Sequence, residues 1–92
     1  MLLKAIGNDG AVSGTGTLVC ESRIIGGVLI TADGTNNATV VLRKDNSAGK
    51  QVFDLVTKSP IFPTGPISLE SQTIYYDVSG TGAAAQFYEW VE

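Results

Sequence analysis

The sequence contains no histidine and only one cysteine, Cys20. The first absence removes the commonest general acid–base group and the commonest zinc ligand. The second rules out an internal disulfide. Charge is also scarce: 16% of residues are charged, against about 25% in an average soluble domain. The six basic residues do not cluster, and only Arg43 and Lys44 are adjacent. A phosphate backbone needs clustered cations, so with a net charge of −3 the chain is not expected to bind nucleic acid. No apolar run approaches the roughly 20 residues of a membrane-spanning helix. The start, Met1 to Ile6, is broken by Lys4 and then by Gly7-Asn8-Asp9-Gly10. It lacks the apolar stretch of about 7–15 residues that marks a signal peptide, so no export and no membrane partner are expected.

Ninety-two residues suffice for one domain, read as residues 1–92. Chains only slightly shorter usually need staples, and a lone cysteine without histidine supplies none. The core must come from apolar packing, or from burial against other subunits. With 43% hydrophobic residues and so little charge, much of the surface is uncharged. That combination points toward association between copies.

Nine valines, seven isoleucines and nine threonines fall mostly in short runs between turn signals. β-Branched side chains lose rotamer freedom in a helix and fit a pleated surface. The runs predict strands over Leu2–Ile6, Gly14–Glu21, Ile24–Thr31, Ala38–Arg43, Gln51–Thr57, Ile67–Glu70, Thr73–Val78 and Ala84–Val91. Each break carries Gly, Asn, Asp or Pro, which supply positive φ, fixed φ or side-chain-closed turns. No segment reads as a helix; Ala83–Trp90 comes nearest, but its aromatic end favours a final strand. The fold expected is all-β, a single β-sandwich or jelly-roll-like domain of about eight short antiparallel strands.

Alternation suggests which faces are buried. Ile74, Tyr76 and Val78 share one face of their strand, and Thr73, Tyr75 and Asp77 the other. Val40 and Leu42 oppose Thr39, Val41 and Arg43, while Phe53 and Leu55 oppose Val52, Asp54 and Val56. The run Ile24 to Ile30 is apolar on both faces, with Gly26-Gly27 predicting a bulge or a close backbone approach. Half-apolar second faces make Ile25 and Val41 candidate interface residues. The last two strands carry Tyr75, Tyr76, Tyr88 and Trp90 and read as a hairpin across Ser79–Gly82. Paired so, Tyr75, Tyr88 and Trp90 would form an aromatic ladder able to anchor a protein interface or stack on a glycan, with Tyr76 and Phe87 in the core.

Reactive constellations are missing. Asp9, Asp33 and Asp45 sit in turns, where side-chain hydrogen bonding to the backbone accounts for them. Asp54 and Asp77 lie on strand faces away from the core. The loop Asp33-Gly34-Thr35-Asn36-Asn37 offers oxygen ligands without the spacing or closing glutamate of a calcium loop. Cys20 lacks a base to activate it and reads as a small buried hydrophobe. Gly14-x-Gly16 and Gly80-x-Gly82 fall short of any nucleotide-binding glycine motif. No catalytic residue, cofactor or metal is expected, and the chain reads as non-enzymatic.

The closing stretch from Ile67 to Ala83 resembles one found in small bacteriophage virion proteins. The likeness extends over residues 15 to 92. It comprises a strand pair ending near Asp33-Gly34-Thr35, a hydrophobic strand, Ile61-Phe62-Pro63, the pattern Tyr-x-Asp-Val-x-Gly-Thr-Gly over residues 75 to 82, and an aromatic strand. The resemblance implies a homo-oligomeric β-sandwich subunit that decorates a capsid or builds part of a tail or fibre. It also implies assembly into a virion alongside other virion proteins, after synthesis in the host cytoplasm. A small carbohydrate- or protein-binding module using Tyr75, Tyr88 and Trp90 is the alternative.

Overall fold

The computed structural model describes residues 2–7 and 10–92. It forms eight antiparallel strands: β1 (Leu2–Ala5), β2 (Gly14–Val19), β3 (Ile24–Thr31), β4 (Ala38–Lys44), β5 (Gln51–Thr57), β6 (Thr64–Ser68), β7 (Thr73–Ser79) and β8 (Ala84–Val91). They make two packed four-stranded sheets, ordered β1-β8-β3-β6 and β2-β7-β4-β5. The pairs β1–β8, β2–β7, β3–β6 and β4–β5 nest inside one another like a folded ribbon, the strand order of a jelly roll. The turn predicted at Asn8-Asp9 lies outside the described residues.

Sequence-adjacent strands mostly alternate between sheets, which corrects one expectation. β7 and β8 are not a hairpin: β7 pairs with β2 and β4, whereas β8 pairs with β1 and β3. The segment between them carries the chain from one sheet to the other. Two smaller corrections have local causes. β6 begins at Thr64 rather than Ile67, because Pro66 is tolerated on an edge strand that pairs only with β3. In β5, Leu42 faces Phe53 but Arg43 faces Gln51, so Val52 is an extra residue in a bulge. Val52 therefore packs against the core beside Phe53 instead of pointing away with Asp54.

The core lies between the sheets. Ile25, Val28, Ile30, Ala85 and Phe87 face Val40, Leu42, Ile74 and Val78, with Cys20 and Leu69 closing one end. The ring of Phe87 packs on Tyr76 at 5.9 Å between centroids. Each fully buried side chain of this size is worth about 1.5–3 kcal/mol. Glycines 26 and 27 occupy the expected bulge, where the register against β8 and β6 slips between Ile25 and Gly27.

Candidate functional site

The two outer faces differ in chemistry. On the β1-β8-β3-β6 sheet the register sets Ala5, Tyr88, Gly27 and Thr64 abreast, with Leu3 beside Trp90 and Gln86 beside Leu29. No acidic or basic side chain stands in these rows. Phe62, from the segment before β6, turns its ring edge-on to Tyr88 at 5.5 Å and 72°. Leu29 and Phe62 remain 40% and 43% exposed, and Leu3 is similarly open.

The glycine pair makes this cluster possible. A Cβ on Gly27 would lie 2.8 Å from the Phe62 ring, and one on Gly26 would lie 2.9 Å from the Trp90 indole and overlap Leu3. The side chains therefore rest on bare backbone, which lowers the aromatic cluster onto the sheet and leaves a broad apolar surface.

The opposite outer face is polar. There Thr17, Tyr75, Arg43 and Gln51 stand abreast, followed by Thr15, Asp77, Val41 and Asp54. Val41 is thus flanked by two aspartates. Arg43 donates from Nη1 to the Gly49 carbonyl at 3.2 Å.

These positions separate the sequence candidates. Tyr88 and Trp90 stand together on the uncharged face, whereas Tyr75 and Val41 lie on the charged one. A single aromatic platform built from Tyr75, Tyr88 and Trp90 does not form, because the strands expected to pair belong to different sheets. Ile25 is fully buried between the sheets and presents nothing outward. Sequence reasoning missed Leu3, Leu29 and Phe62. Strand alternation places the first two beside Trp90 and Gln86, while Phe62 sits in a proline-rich stretch with no periodicity to read.

It also missed Glu89. This residue shares the inward face of β8 with Ala85 and Phe87 and is only 4% exposed. The Ser22 backbone N–H donates to its Oε1 at 2.9 Å. Glu89 thereby ties the β2–β3 turn to β8, at the edge of a cavity of about 670 Å³.

The remaining candidates resolve as local chemistry. Cys20 is fully buried; burial pushes its thiol pKa up, partly offset by the Ser22 hydroxyl. Asp45 Oδ1 accepts a short hydrogen bond from the Ser71 hydroxyl. Asp54 and Asp77 are exposed. Among the described residues no cluster of three or more His, Cys, Asp or Glu is arranged to hold a metal ion. In the Asp33 loop, Asp33 Oδ1 accepts the Thr35 N–H at 2.8 Å and the Asn36 N–H at 2.7 Å, and Oδ2 accepts Asn36 Nδ2 at 2.8 Å. The carboxylate closes its own turn, and the Asn36 N–H, the Asn36 side-chain amide and the Thr35 N–H hold its pKa below the usual aspartate value.

A folded pKa depressed in this way stabilises the loop above the unfolded aspartate pKa, and that contribution is lost as pH falls through the folded value. In a carboxyl-detected NMR titration Asp33 should titrate below a blocked aspartyl peptide. A midpoint at or above the peptide's would contradict this geometry.

No protein-family model, curated protein or solved structure matches the chain.

Proposed function

We propose that the chain is a non-enzymatic structural subunit of a protein assembly, built by contacts between copies of itself. The observation that supports this most is the uncharged outer face of Leu3, Leu29, Phe62, Tyr88 and Trp90. An apolar surface with aromatic anchors and no charge at its centre has the composition of an interface core. An apolar sheet face suits a symmetric contact, since one self-complementary patch generates a dimer and repeated patches generate larger assemblies. The likeness of the closing segment to small bacteriophage virion proteins supports placing that assembly in a virion, among other virion proteins.

Light scattering coupled to size exclusion at micromolar concentration tests the reading. The wild-type chain should run as an oligomer. Leu29→Asp should weaken self-association by at least about tenfold, because a leucine exposed on the sheet face becomes a charge that the contact must bury. A strictly monomeric wild-type protein would remove the basis for the proposal.

The same face carries the second reading, a glycan-binding module, through Tyr88 and Trp90. Saturable quenching of Trp90 fluorescence by members of a sugar panel would favour it over self-association.

A further inference from the structure

Each sheet has two open edges, and three of the four are poorly suited to a partner. β1 is four residues long and carries Lys4. β6 holds Pro66 at its middle, which removes a backbone donor from a strand of five residues. Short strands, lysine and proline are common guards against edge-to-edge pairing. β2 lacks those guards, but glycine takes two of its six positions and it has no charge, so nothing in it fixes a register. β5 is the exception, with seven residues and no proline, glycine or lysine among them.

The exposed side of β5 is patterned. Asp54 and Val56 lie on the outer face, abreast of Val41 and Thr39 of β4, and Val56 is 54% exposed. Two residues further on stands Lys58, also exposed, where the chain bends and the Thr57 hydroxyl accepts the Ser59 N–H at 3.2 Å. Asp54 and Lys58 are too far apart to pair with each other, since four residues of strand span about 13 Å. Neither joins an ion pair among the described residues, where Lys44 and Glu70 form one. The bulge at Val52 disturbs the other end of the strand, while Asp54 to Thr57 keep a regular register with β4.

We propose that β5 pairs antiparallel with β5 of a second copy, about a two-fold axis through Val56. Charge selects the register. A two-fold axis perpendicular to the sheet seats one residue against its own copy and keeps both outer faces on one side. Centred on Asp54, it would oppose two carboxylates. Centred on Phe53 or Leu55, it would set Asp54 against a valine. Centred on Val56, it places Asp54 level with Lys58 of the other copy, twice, and joins the two exposed valines. Cross-strand pairs of opposite charge and of β-branched residues both favour such a ladder. The two four-stranded sheets then run on as one sheet of eight. This contact rests on the reading of the chain as a self-assembling subunit, but it uses the sheet opposite the Leu29 face. A subunit with both contacts builds assemblies larger than a dimer.

The test is made in Leu29→Asp, in which the apolar face is disabled. Size exclusion with light scattering at micromolar concentration should find dimers there, and larger species in the wild type. Adding Lys58→Asp should weaken the dimer by at least about tenfold, as should adding Asp54→Lys, because two pairs at once then oppose like charges. Mixing these two variants should bring dimers back, since every cross-strand pair again joins opposite signs. The exchanged variant Asp54→Lys/Lys58→Asp should dimerise for the same reason. Both positions are exposed, so each variant should keep the wild-type circular dichroism. A strictly monomeric Leu29→Asp protein overturns the β5 contact while an oligomeric wild type leaves the apolar face standing. Unchanged dimers with Lys58→Asp, or no recovery in the exchanged variant, also overturn it. Oligomers that Leu29→Asp leaves intact but Lys58→Asp breaks support β5 and count against the apolar face.

Discussion

Phe87→Ala should lower the unfolding free energy by about 3–5 kcal/mol. Phe87 is fully buried at the centre of β8, opposite Val28 across the strand pair and against Tyr76 of the other sheet. Its removal deletes the largest side chain in the core. A domain of this size has about 5–15 kcal/mol of stability in all, so this one truncation brings the chain close to unfolding. Tyr76 is placed to limit the damage, because its phenol crosses Gly16 toward the edge of β2 and could swing inward. A loss near the lower end of the range would signal that relaxation. The measurement is urea denaturation, with the midpoint falling at an unchanged slope. A loss below about 1 kcal/mol would mean that the sheets do not pack on this ring as described.

Gly80→Ala should cost about 3 kcal/mol or more, from a position that buries no side chain. Gly80 lies just past β7, where the chain leaves one sheet for the other, and its φ is +115°. A Cβ there would overlap the Asn37 carbonyl oxygen and lie 3.1 Å from its carbon and 3.4 Å from the Cα of Ala38. All three atoms are backbone at the start of β4, so relief requires moving a central strand. Gly34→Ala is the control, since Gly34 also has positive φ, +89°, but a Cβ there meets nothing within 4 Å. It should lose only the conformational strain, about 1–2 kcal/mol. Equal losses for the two variants would show that the Asn37 contact is not the cause.

The strands are legible because three signals coincide in the sequence: β-branched runs, period-two alternation and turn residues at the breaks. β3, β5 and β8 fall where the sequence places them. β6 was displaced because Pro66 reads as a break, and only its edge position makes it compatible with a strand. Pairing was less legible. Adjacent strands joined by a glycine-rich turn favour a hairpin, yet Ser79–Gly82 joins strands of opposite sheets, and nothing local distinguishes the two outcomes. That one error broke up the proposed group of Tyr75, Tyr88 and Trp90. Tyr88 and Trp90 were recoverable because they alternate with Phe87, and Gly26-Gly27 because no other residues sit so readily in a bulge beneath rings. Glu89 was signalled only by its spacing from Ala85 and Phe87. Its charge argued for the surface, and its acceptance of the Ser22 N–H depends on a turn 67 residues away.

The ribbon order ties folding to synthesis. β8, the eighth strand in chain order, is an inner strand of its sheet, holding β1 on one side and β3 on the other. Until it has left the ribosome, β1 has no neighbour in its sheet and one edge of β3 stays unpaired. Pairings this distant in sequence place the chain among slow folders, in the millisecond-to-second range. The nascent protein therefore waits, greasy and half-assembled, for the eight residues of β8.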